Sequence, residues 1–124
     1  MSPVWIRNAG SGESLAIRLT DAGGTTLVYS SDTGYAESLA EFARGVDLLI
    51  LECSFYRDKP TVKHLELADA MRIAQLAAPR QLLLTHLYPL WDQVDLETEA
   101  RKLWGGATLA ACDGLRLTIE KEGR

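Results

Sequence analysis

Apolar and polar residues alternate along ESLAIRLT (13–20), with Leu15, Ile17 and Leu19 in phase. A period of two predicts a half-buried strand. DAGG (21–24) is a turn signal, and TTLVYS (25–30) resumes the strand pattern, so the pair predicts a hairpin. The period then changes. AESLAEFAR (36–44) puts Leu39, Phe42 and Ala43 on one helical face, and Gly45 is placed to stop that helix. VDLLILE (46–52) is almost continuously apolar, as expected of a strand covered on both faces.

After the irregular CSFYRDKPTVK (53–63), the strongest helical pattern spans HLELADAMRIAQLAA (64–78). Leu67, Met71, Ala74 and Ala78 recur at spacings of three and four, and Pro79 ends the run. QLLLTH (81–86) predicts another short strand. DLETEARKLWG (95–105) predicts a helix, and ATLAACDGLRLTIE (107–120) predicts two strands around Asp113-Gly114. The order is strand, strand, helix, strand, helix, strand, helix, strand, strand. It predicts an α/β domain over residues 1–124 with parallel pairing in its middle.

Composition narrows the function classes. Net charge is −4 and the pI about 5.1, with no cluster of Lys and Arg, so charge gives no support to nucleic-acid binding. No apolar run approaches the roughly 18 residues of a membrane span, and MSPVWIRNAG lacks the apolar core of a leader peptide. The expected location is the cytoplasm. Cys53 and Cys112 form no CxxC pair and are expected to be buried thiols.

Three strand patterns end in residues that can carry chemistry: Asp32 after LVYSS, Glu52 after LLIL, and His86 after LLLT. In open α/β sheets, ligands bind beyond the carboxyl ends of the strands. Neighbouring parallel strands would bring the three side chains to one edge, where an Asp and a His can hold a divalent metal. His64, the other histidine, opens the helix after the irregular stretch and could face the same edge. Each residue also has a plainer explanation. SDTG fits a turn, Glu52 a solvated strand end, His86 a hydrogen-bonded edge histidine, and His64 a helix-start residue.

Taken in order, the Ser-Asp-Thr segment, the strand ending in Glu, the helix opening with His and the strand ending in Thr-His are more specific than any one alone. From about residue 13 to residue 118 the chain resembles the C-terminal half of a metallo-β-lactamase-fold hydrolase of the ribonuclease Z-like branch. The resemblance implies half of a four-layer αββα sandwich, one mixed sheet with helices mainly on one face. It implies Asp32 as a bridging metal ligand and His86 as a ligand to the second metal. It also implies Glu52 and His64 as a catalytic pair for proton transfer. The cofactor would be zinc or another divalent metal, and the reaction hydrolysis of a phosphodiester or ester.

The family's His-x-His-x-Asp-His motif is not present in this sequence, which has two histidines. A further family histidine would fall near Gly10. The site is therefore incomplete in this chain. A sheet with helices on one side would also expose a large apolar face, which soluble monomers seldom tolerate. A partner surface is expected, either a homodimer or a complementary N-terminal half chain. Three readings stay open. The chain is a truncated domain that is not hydrolytic alone and assembles through its open face. Alternatively, it is a hydrolase completed by another subunit or an N-terminal segment. The third reading is an unrelated α/β domain.

Overall fold

The computed structural model describes residues 2–8, 15–31, 35, 37–56 and 64–119. Strands β1 (Ser2–Asn8), β2 (Leu15–Thr20) and β3 (Thr26–Tyr29) come first, followed by helix α1 (Glu37–Phe42) and strand β4 (Leu48–Glu52). Helix α2 (Leu67–Ala77), strand β5 (Gln81–Thr85), a 3-10 turn at Pro89–Gln93, helix α3 (Leu96–Arg101) and strand β6 (Ala107–Ala110) complete the order. The described strands form one six-stranded mixed sheet in chain order, β1 to β6. β1, β2 and β3 pair antiparallel; β3, β4, β5 and β6 pair parallel.

The predicted hairpin is present. The Asp21 carboxylate accepts from the backbone N–H of Gly23 and Thr25 at 2.9 and 2.8 Å, and Gly24 takes φ 87°. That side chain closes the turn by mimicking backbone acceptors, while Gly24 meets the positive φ without a Cβ clash.

Topology decides which face is covered. Each parallel connection steps to the next strand in the same direction, and such crossovers are right-handed. Successive crossovers of one hand therefore place α1, α2 and α3 on the same side. Leu39, Phe42, Met71, Ile73 and Leu96 from the helices share one core with Val28, Leu49, Leu51, Leu82 and Leu84 from the strands. Each buried leucine contributes roughly 1.5–3 kcal/mol over leaving it in water. The opposite face carries the buried Leu48 together with six further apolar residues, Ile17, Leu19, Leu27, Tyr29, Ile50 and Leu83. All six retain solvent exposure, and Tyr29 is 38% exposed.

Four expectations are corrected. β1 is not among the elements predicted by the pattern; it adds an antiparallel edge, with Ile6 in register with Ile17. The helix over 64–78 starts later, at Leu67, because residues 65–67 first pair with Phe55. Phe55 N–H donates to the Leu65 carbonyl, and Leu67 N–H to the Phe55 carbonyl. The helix over 95–105 ends at Arg101, four residues before Gly105. Over 107–120 the described residues form one strand; Ala111 N–H still donates to the Leu84 carbonyl at 2.8 Å, and after the turn at Asp113-Gly114 no second strand follows among the described residues. No helix among the described residues is long and apolar enough to cross a membrane.

Candidate metal centre

Parallel register builds the site. Glu52, the last residue of β4, is opposite Thr85, the last of β5. His86 therefore sits one residue beyond the partner of Glu52, at the carboxyl edge of the sheet. The pairing continues past the strand, since Cys53 N–H donates to the Thr85 carbonyl at 2.9 Å. Ser54 follows Glu52 by two, so strand alternation returns its side chain to the Glu52 side. His64 arrives from the far end of the irregular stretch. The Phe55–Glu66 bridge fixes that return and leaves His64 in a bend before α2.

The resulting network is short and continuous. Glu52 is 1% exposed. Its Oε1 lies 3.0 Å from His64 Nδ1. Its Oε2 accepts from the Ser54 hydroxyl at 2.6 Å and from Ser54 N–H at 3.2 Å. Ser54 Oγ is also 2.7 Å from His86 Nδ1. The two imidazoles stack nearly parallel, 5.2 Å apart at 16°. Tyr88 lies against both rings, at 6.0 Å from His64 and 5.4 Å from His86, and packs on Phe55 at 4.8 Å. A cleft of about 330 Å³ opens beside His86, lined also by Thr85, Leu87, Ala111, Cys112 and Asp113.

Backbone conformation marks the same edge. His86 has φ 58° and Ser31 has φ 56°, left-handed values that non-glycine residues rarely hold. Such residues cost about 1–3 kcal/mol each and cluster at functional sites. Ser31 directly precedes Asp32. The Ser30 hydroxyl bridges these strands: it accepts from Glu52 N–H at 3.0 Å and donates to the Ser31 carbonyl at 2.8 Å.

Of the four sequence candidates, the fold brings Glu52, His64 and His86 together. Asp32 lies outside the described residues. Glu52, His64 and His86 each offer a ligand atom, and these atoms all lie within 4.8 Å of one another. Two imidazoles and a carboxylate suit zinc, manganese or iron. Histidine ligands of a metal usually have their other ring nitrogen tied to a polar partner. His86 meets that condition through Ser54. His86 is thus the member of the cluster best placed to hold a divalent ion, while both Glu52 oxygens are engaged by His64 and Ser54.

Sequence reading missed Ser54 and Tyr88. Ser54 sits in a stretch without periodicity, and Tyr88 follows a strand end, so neither carried a pattern signal. The two cysteines also differ. Cys53 is buried, and burial followed by the nearby Glu52 charge pushes its thiol well above the ordinary range. Cys112 is exposed, contrary to expectation, because β6 stops two residues before it.

Residues 3–87 match the model of the Beta-lactamase superfamily domain. An uncharacterised protein of Mycobacterium leprae is 39% identical over 114 residues, covering 90% of this chain and 40% of that protein. The probable metallo-hydrolase YhfI of Bacillus subtilis is 39% identical over 101 residues, 80% of this chain and 41% of the relative. Its crystal structure superposes with a TM-score of 0.80 at 34% identity, covering 90% of this chain and 47% of that one. Human tRNase Z, short form, shares the fold at 16% identity and a TM-score of 0.67. The chain spans about two fifths of the length of the curated relatives it matches. Its mixed sheet and helices match the fold of a metallo-β-lactamase-fold protein: the chain belongs to the β-lactamase superfamily domain family, with a probable metallo-hydrolase among its relatives.

Proposed function

We propose that this chain supplies one side of a divalent-metal hydrolase centre acting on a phosphodiester or ester, and that alone it does not turn over. The observation that carries this is the Glu52–His64–Ser54–His86 network at the carboxyl edge of the parallel strands. His86 and Asp32 would hold the ion, preferably zinc. When bound, the ion would polarise the oxygen under attack and acidify water. As a carboxylate, Glu52 only accepts hydrogen bonds, so His64 donates from Nδ1 and keeps Nε2 for proton exchange with a leaving oxygen. The cleft beside His86 gives the scissile group room.

A catalytic zinc usually keeps three protein ligands and a water. Asp32 and His86 are too few, so the remaining ligands come from polypeptide beyond these residues. The second sheet face supports an attachment surface for it, because Ile17, Tyr29, Ile50 and Leu83 lie there in register and all keep solvent exposure among the described residues. The length of the relatives favours a complementary segment over a second copy of this chain.

The test is zinc titration and hydrolysis of bis(p-nitrophenyl) phosphate by the chain alone and with the N-terminal segment of a longer relative. Weak zinc uptake alone, with hydrolysis appearing only on mixing, is the expected result. His86→Ala and Asp32→Ala should each abolish both. Failure of folded protein to bind zinc in either state sinks the proposal. Dimerisation of the lone chain, measured by sedimentation, would replace the complementary segment with a second copy.

A further inference from the structure

We propose that Ser54 is a positioning residue that relays the Glu52 carboxylate to His86 and selects the His86 tautomer with its proton on Nδ1. Ser54 is fully buried, and its hydroxyl touches both groups, at 2.6 Å from Glu52 Oε2 and 2.7 Å from His86 Nδ1. A hydroxyl has one proton to donate, and a carboxylate can only accept. The Ser54 proton therefore goes to Glu52. The Ser54 oxygen then meets Nδ1 with a lone pair, so Nδ1 of a neutral His86 must carry the hydrogen. That leaves Nε2 with the lone pair, the reverse of the tautomer that a histidine side chain favours in water.

The same residue holds the backbone. The Ser54 carbonyl accepts from Tyr88 N–H at 3.2 Å, two residues past His86. Ser54 thus grips the 86–88 turn at both the ring and the main chain, across the left-handed His86. Glu52 Oε1 imposes the same choice on His64. One buried carboxylate, reaching one ring directly and the other through a serine, sets both imidazoles to offer Nε2. The near-parallel stacking at 16° follows from the two being anchored at the same ring position to one hub.

The tautomer assignment stands on hydrogen-bond counting; its use as a ligand setting rests on the metal-centre proposal above. The experiment is long-range proton–nitrogen correlation NMR on the ¹⁵N-labelled, metal-free 124-residue chain, at a pH where both rings are neutral. His86 should show a protonated Nδ1 and an unprotonated Nε2. Ser54→Ala should convert it to a mixture or to the Nε2–H form while leaving His64 unchanged. Ser54→Thr should restore the original pattern. A wild-type His86 protonated on Nε2, or an unchanged tautomer in Ser54→Ala, would overturn the relay. If Ser54→Ala does not fold, the wild-type spectrum and Ser54→Thr still decide. Zinc titrated into the same samples should bind roughly 10- to 100-fold more weakly to Ser54→Ala. The predicted tautomer without zinc uptake would support the relay and remove the metal-centre proposal.

Discussion

Strand β4 carries a buried carboxylate at each end, and the two are held for different purposes. Asp47, just before the strand, is 7% exposed and accepts from Thr26 N–H at 2.9 Å and Thr26 Oγ1 at 3.2 Å. The Thr26 hydroxyl in turn accepts from Asp47 N–H at 3.1 Å. That reciprocal clasp ties β3 to β4. Glu52, at the other end, accepts from a serine that also touches one histidine and faces a second histidine directly. Burial alone therefore does not mark function. What distinguishes the carboxyl edge is that the groups held by the carboxylate are themselves proton carriers and metal donors.

Exchanging the two acids is the sharpest way to break this comparison. If the proposed hydrolase assembles as described above, Glu52→Gln should lower its kcat by roughly 100- to 10,000-fold, the usual contribution of a positioned acid–base pair. Asp47→Asn should leave the rate within a few-fold at temperatures where the protein is folded. Equal losses in the two variants would mean that the two ends of β4 do not differ as argued. Stability should show the opposite order. Asp47→Ala leaves the Thr26 N–H without its acceptor, which costs about 1–3 kcal/mol in urea denaturation. Glu52→Gln keeps the side-chain shape and one accepting oxygen for Ser54, and its amide can donate to His64 Nδ1 once that ring moves its proton to Nε2, so it should cost less than Asp47→Ala in the same measurement.

The sequence VDLLILE shows both acids and a strand, but not this difference. Hydrophobic runs made the four parallel-region strands legible, because each had to fill a covered face. Joint placement of Glu52 and His86 followed from parallel pairing alone. The partners did not follow. Ser54 lies in CSFYRDKP, where no period indicates which way a side chain points. The left-handed backbone of His86 has no glycine to announce it. His64 reaches Glu52 only because Phe55 pairs with the residues after it and delays α2 by three positions. These are tertiary effects, set by contacts between segments far apart in the chain. The alternation in LRLTIE misled in the other direction, since a strand pattern needs a neighbouring edge to pair with.

Cys53 lies between Glu52 and Ser54 and tests how dry that edge is. The thiolate is the nucleophile in alkylation, and burial followed by the Glu52 charge pushes the Cys53 thiol upward. Cys112 is exposed at the mouth of the cleft. In native protein at mildly alkaline pH, Ellman's reagent should titrate one thiol quickly, with the second appearing only on denaturation. Peptide mapping should place the fast label on Cys112. Rapid labelling of Cys53 would mean that water reaches the Glu52 network.

The smallest effect belongs to a third carboxylate, Asp95, which calibrates the other two. Asp95 caps α3: its side chain accepts from Thr98 Oγ1 at 2.8 Å and from Thr98 N–H at 3.2 Å. The side-chain bond and then the backbone bond hold its carboxyl below the usual range. A carboxyl lowered in the folded state adds stability that is present above its unfolded value and is lost as pH falls through its folded value. The donors are a hydroxyl and an N–H, as they are for Asp47, but here water competes for every bond. Asp95→Asn preserves a capping oxygen and removes the charge. Its melting temperature should therefore fall slightly below wild type at neutral pH, with the gap closing as acid protonates Asp95 in the wild type. A constant gap across that range would mean that the cap acts by shape alone. Asp95 could not then serve as the solvent-exposed reference for the charge-dependent contributions of Asp47 and Glu52.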